Sequence, residues 1–166
     1  KCTDAVGIVT RARNFMKEEK MDLELGDRVY CVFDSDPLSN PNIQLAFDMI
    51  RGMMEEGLRC IFSNPSFEVW FILHLKERAP YGLTAIQMKD RLRRELKPVF
   101  PNYSETTDIF DWLRDKQSLA YERAIRLHNS QQEVYKRVLS HECNPYTNMF
   151  QFIEYMESIK KTASHG

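Results

Sequence analysis

Apolar residues recur at helical spacing from the start of the chain. Ala5, Val9, Ala12 and Met16 follow Thr3, a candidate N-cap, and predict a helix to about Lys20. Gly26 and Asp27 then introduce a short run of β-branched, aromatic and apolar residues over 28–33. It stops at Asp34-Ser35-Asp36-Pro37 and reads as a buried strand. After the loop marked by Pro37 and Asn40-Pro41, the spacing of Ile43, Ala46, Phe47 and Ile50 predicts an amphipathic helix ending near Gly57. Residues 58–62 form a second short buried strand. Ser63-Asn64-Pro65 follows, with Asn64 as N-cap and Pro65 at the first position of a helix to about Lys76. That helix is apolar nearly all round, which implies burial between layers. The order helix, strand, helix, strand, helix argues for a small parallel sheet with helices on both faces.

Beyond residue 78 the pattern becomes helical. Thr84 with Gln87 makes a capping box ahead of Met88, Leu92 and Leu96. A polar, proline-containing loop over 98–107 leads to a short helix at 109–113. Residues 118–140 have helical propensity, with Asn129-Ser130 a candidate break. Asn144-Pro145 interrupts the chain again, and Thr147 caps a last helix carrying Met149, Phe152, Ile153, Met156 and Ile159 on one face. The expected organisation is one domain over 1–166. Its α/β core spans 1–78 and a helical half, 79–166, packs on it. The apolar last helix suits either the core or a homo-oligomer.

The chain has 166 residues, 43% hydrophobic and 28% charged, with a formal net charge of −1. These values exclude a disordered chain and a generally basic nucleic-acid coat protein, while leaving room for a local basic groove. The longest apolar run, 69–75, is broken by His74 and falls far short of the roughly 18 residues of a membrane span. No membrane association is expected, and with no signal peptide the expected compartment is the cytoplasm. Cys2, Cys31, Cys60 and Cys143 are scattered, which argues against a zinc site or disulfide framework.

Candidate chemistry gathers at two places. Residues i and i+2 of a strand share a face, so Asp34 and Asp36 would project together from the end of the first strand, with Ser35 turned away. Paired carboxylates there suit a hard divalent ion, and ligands of open α/β sheets bind off the carboxyl ends of the strands. The plainer reading makes both turn residues. In a parallel sheet the second strand delivers Ser63, Asn64 and the next helix to the same edge. Glu68 is the acidic side chain in the apolar segment 67–75, and a buried charge needs a metal or basic partner. A helix-dipole contact, under about 1 kcal/mol, suffices only for an exposed glutamate. His74 shares the stripe Phe67, Trp70, Phe71. It reads as a satisfied core histidine or as an acid/base group. Lys89, Arg93 and Lys97, at i, i+4 spacing, are candidate nucleic-acid contacts or a solvated face.

The segment Val32-Phe33-Asp34-Ser35-Asp36, taken with Ser63-Asn64-Pro65-Ser66-Phe67-Glu68-Val69-Trp70 and His74, resembles the RloB-like family. Those are bacterial proteins associated with restriction and phage-defence loci. Asn144-Pro145-Tyr146-Thr147 is similar to that family's C-terminal Asn-Pro-x-Thr element. The resemblance implies a Toprim-like, Rossmann-type core with a Mg²⁺ (or Mn²⁺) site for phosphodiester chemistry. Asp34, Asp36 and Glu68 would be its metal ligands, His74 a catalytic addition, and Ser63 and Asn64 would shape the site. It also implies a first strand with a Glu-Gly element before Lys1, so that the chain reads as part of something longer.

The leading expectation is an Mg²⁺-dependent nuclease of a defence system, acting on DNA or RNA, with a defence-system protein as a further partner. An aspartyl-phosphate phosphatase is a second class, weakened by Pro37-Leu38 where such enzymes continue with Gly-Thr. A third reading is a non-catalytic or partner-activated regulatory component of a defence locus.

Overall fold

The computed structural model describes residues 4–136 and 139–163. Thr3, expected as the first cap, lies outside them. Asp4 is the N-cap of α1 (Ala5–Glu18), its carboxylate accepting from the Gly7 N–H at 2.9 Å. A loop through residue 28 leads to β1 (Val29–Asp34), followed by α2 (Ile43–Gly52) and β2 (Leu58–Asn64). The turn into β2 depends on Gly57. Its φ is +96°, and a Cβ there would meet Leu23 Cδ2 at 2.6 Å.

β1 and β2 pair in parallel, from Val29 opposite Leu58 to Asp34 opposite Ser63. The expected parallel sheet is corrected by a third strand, β3 (Tyr146–Thr147), which pairs antiparallel to β2 through Ser63–Thr147 and Asn64–Tyr146. With order β1-β2-β3 the sheet is small and mixed. Two residues carry no period, so β3 had no signal of its own.

Alternation along β1 sends Cys31 and Phe33 into a core with α1 and α2, which includes Ala5, Val9, Ile43, Phe47 and Ile50. Tyr30 faces the other side, against Phe152 and Tyr155 at ring separations of 5.4 and 5.3 Å. These two belong to the last helix, α7 (Met149–Ala163). Helices therefore flank both sides of the sheet.

A second apolar cluster gathers α3 (Glu68–Leu75), α4 (Ala85–Leu96), α5 (Phe110–Arg114), α6 (Gln117–Tyr135) and Phe150 of α7. The capping box of Thr84 and Gln87 is present at α4. α6 runs unbroken through Asn129-Ser130 and ends earlier than residue 140, because Lys136 turns left-handed at φ 58°.

Asn64 does not cap α3. The Asn64–Pro65 peptide is cis, and the Asn64 Nδ2 donates to the His141 and Cys143 carbonyls, both at 2.8 Å. α3 starts at Glu68, three residues later than expected. Thr147 serves as a strand residue, and its capping contact, from the Met149 N–H to its Oγ1, is long at 3.4 Å. Asn148 makes the stronger junction. Its Oδ1 accepts from the Phe62 N–H and its Nδ2 donates to the Cys60 carbonyl, both at 2.8 Å, so one amide continues the pairing of β2 where β3 stops.

Candidate active site

The parallel pairing of β1 and β2 brings their carboxyl ends to one edge, where the loop into α3 also begins. Asp34 closes β1 on the face that alternation leaves exposed, beside Val32. Ser35 turns inward, its N–H and Oγ both donating to the Ser63 carbonyl at 2.9 and 3.3 Å. Asp36 does not stay in the open beside Asp34. It is only 6% exposed, and loop closure captures its carboxylate through the Leu38 N–H at 3.0 Å and the Ser39 hydroxyl at 3.2 Å.

Asp34 Oδ1 accepts the Phe67 N–H at 2.9 Å, so the end of β1 satisfies a backbone donor at the start of α3. Desolvation pushes the Asp34 carboxyl up to about 6, and the Glu68 charge adds to the rise. The Phe67 N–H and Lys89 oppose it, and Asp36 contributes a smaller upward push. Glu68 opens α3 and is 8% exposed. Its Oε2 is buried without a hydrogen-bond partner. Ser66 Oγ, two residues earlier, is likewise buried and unpartnered. A helix dipole favours the Glu68 charge but donates no hydrogen bond to that oxygen, which remains a buried acceptor facing a second carboxylate.

The cation of the site comes from α4. Lys89 Nζ pairs with Glu105 at 3.0 Å. Its pKa is raised first by that hydrogen bond, then by the charges of Glu68 and Asp34. Arg93 pairs with Asp90 at 2.8 Å, and Lys97 is exposed at the end of α4. Tyr103, from the loop between α4 and α5, has its phenol pKa raised by desolvation and by the charges of Glu68 and Glu105. Tyr103 and Glu105 sit in a loop without periodicity, and no local pattern marks them as site residues.

The chain matches a family model described as RloB-like protein over residues 1–156. It belongs to the RloB-like family. No curated protein and no solved structure gives a significant match.

In this RloB-like chain Asp34, Glu68 and Lys89 converge, while Asp36 sits at the margin. Ser63 and Asn64 work behind the site. Ser63 Oγ donates to Thr147 Oγ1 at 2.9 Å, and Asn64 ties β2 to the segment before β3. His74 is elsewhere. The charges acting on it are Lys116 and Arg123, neither of the carboxylates. Six residues along a helix is about 9 Å of rise and two-thirds of a turn out of phase, which accounts for the separation from Glu68.

Among the described residues no three His, Cys, Asp or Glu side chains are grouped to hold a metal ion. A Mg²⁺ ion is nevertheless compatible with the Asp34 and Glu68 pair, since it commonly takes one or two protein carboxylates and fills its shell with water and phosphate oxygens. The orphaned Glu68 Oε2 is the specific fit, a buried hard oxygen without a hydrogen-bond partner. Cys31, Cys60 and Cys143 are buried in the apolar core. None of the described helices is long and apolar enough to cross a membrane.

Proposed function

We propose that this RloB-like chain is a Mg²⁺- or Mn²⁺-dependent nuclease that hydrolyses phosphodiester bonds of DNA or RNA in a bacterial anti-phage defence system. The observation carrying the proposal is the buried, unpartnered Glu68 Oε2 beside Asp34, at the carboxyl edge of two parallel strands. A bound divalent ion there supplies Lewis-acid polarisation of the phosphate and a more acidic water. Asp34 and Glu68 would hold it, with Asp34 kept in place by the Phe67 N–H. Asp36 would complete the site after exchanging its Ser39 hydrogen bond, or else shape the loop that positions Asp34. Lys89, released from Glu105, would neutralise charge on the scissile phosphate. Tyr103 offers a hydroxyl at the same edge. The defence association follows from the family resemblance, as does a protein partner encoded with it.

A second reading is a non-catalytic or partner-activated regulatory component. It is favoured by the lack of a three-ligand group among the described residues and by the diversion of the Asp36 carboxylate into its own loop. Cleavage of mixed tRNA, single-stranded RNA and DNA with Mg²⁺ or Mn²⁺, beside Asp34→Ala and Glu68→Gln, separates the two. Divalent-dependent cleavage lost in both variants supports the nuclease. Cleavage surviving both overturns the assignment of the site. Divalent binding without cleavage of any substrate favours the regulatory reading.

A further inference from the structure

A concave surface between α3, α5 and α7 encloses about 600 Å³. Its wall is aromatic, built from Phe67, Trp70, Phe71, Phe110 and Phe152, with His74 among them. Phe67 connects this cleft to the carboxylates. Its ring lines the cleft and also the smaller hollow that contains Asp34, while its N–H holds Asp34 Oδ1 at 2.9 Å. The cleft is therefore one residue away from the candidate metal ligands.

His74 defines the chemistry of the cleft. Its Nδ1 lies 2.9 Å from the Trp70 carbonyl oxygen. A carbonyl only accepts, so Nδ1 carries the proton and Nε2 of the neutral ring is a bare acceptor. Desolvation and the nearby Lys116 and Arg123 lower the pKa of His74, which keeps the ring neutral. A purely aliphatic occupant would cover this acceptor and leave it unsatisfied. A flat ring bearing an N–H stacks on the walls and satisfies Nε2 at once. Every nucleobase has such a ring and such a donor, whereas only unstacked bases can enter a cleft of this kind.

We infer that the cleft between α3, α5 and α7 is a nucleobase subsite, taking an unpaired base of a single-stranded DNA or RNA segment whose phosphate reaches Asp34 and Glu68. The inference rests on the nuclease reading and names the substrate class of that site: single strands, loops or flipped bases in preference to intact duplex. Lys160 lines the cleft and offers a cation to the flanking backbone, as does Arg114 once it exchanges its ion pair with Asp111.

The test is photocrosslinking of short DNA and RNA strands carrying one 5-iodouracil, with Ca²⁺ in place of Mg²⁺, followed by mass spectrometry. The expected result is a crosslink to Trp70, Phe71 or Phe152 and tighter binding of single strand than of duplex. An abasic site at the crosslinking position, Phe71→Ala and Phe152→Ala should each weaken single-strand binding about tenfold. Duplex binding should be unchanged. The crosslink map and the abasic strand need no variant, so a poorly folding substitution does not blunt the test. Crosslinks confined to other surfaces, or equal affinity for duplex with cleavage retained, overturn the subsite and leave the nuclease standing. Failure to bind or cut any strand overturns both.

Discussion

Replacing Asp34 with Asn removes one of two facing carboxylates while keeping an oxygen that accepts the Phe67 N–H. The native carboxyl is pushed from 3.8 to about 6, by desolvation first and by Glu68 second. In a fully buried site that rise would correspond to about 3 kcal/mol against the ionised form. Asp34 keeps an exposed side, and solvent screening reduces the figure to about 1–2 kcal/mol. Because the folded pKa lies above the unfolded one, the stability Asp34 contributes is complete below about pH 3.8 and is lost as pH rises through about 6. The Asn variant has no such loss. Urea unfolding of both proteins in chelator, at about pH 4 and about pH 8, should show the variant gaining about 1–2 kcal/mol on the native chain across the interval. Comparing the two proteins cancels the titrating groups that do not interact with Asp34. A gap that stays constant, or that moves the other way, would refute the reasoning that Asp34 is held against a second negative charge. Excess Mg²⁺ should reverse the trend in the native chain alone, since a cation between the carboxylates favours their ionised forms.

Calorimetric Mg²⁺ titration should find binding weakened about tenfold or more by Asp34→Asn and by Glu68→Gln, and less by Asp36→Asn, whose loop bonds an amide can partly keep. Equal loss for all three would make Asp36 a full ligand. Nitrogen-detected NMR of His74 should show a proton on Nδ1 and a midpoint below 6.5. Stability carried by the neutral ring is then held above pH 6.5 and lost as pH falls, and a midpoint above 6.5 would contradict the buried setting. Asn148→Leu should cost about 3–5 kcal/mol in urea unfolding, because it orphans the buried Phe62 N–H and Cys60 carbonyl. A loss under about 1 kcal/mol would mean that β2 finds other partners there.

Much of the architecture is legible in local pattern. The two parallel strands, α2, and the capping box of α4 follow from alternation, helical period and cap chemistry, and all are present. Glu68 stood out as a charge among apolar neighbours, and its burial gives that signal its meaning. Two expectations were overturned by side-chain capture, one by partners distant in sequence and one within a local loop. Asn64 has the credentials of an N-cap, but carbonyls 77 and 79 residues away take its amide, and α3 begins later. Asp36 was expected beside Asp34, but the backbone leaves the strand at Ser35 and the loop takes its carboxylate.

Hydrophobic period, caps and strand composition are properties of neighbouring residues, so the chain by itself determined its elements, the α/β order of its first half and the strand end that bears Asp34. Its Ser63–His74 block likewise pointed to the RloB-like family, to which it belongs. Only the tertiary structure decided that a two-residue strand runs antiparallel beside β2, and that Asn148 extends its pairing. It also decided that Lys89, paired with Glu105, and Tyr103 come under the charge of Glu68, and that His74 turns to an aromatic cleft instead. Those outcomes depend on contacts between segments far apart along the chain, where burial and charge take effect only once the helices have packed.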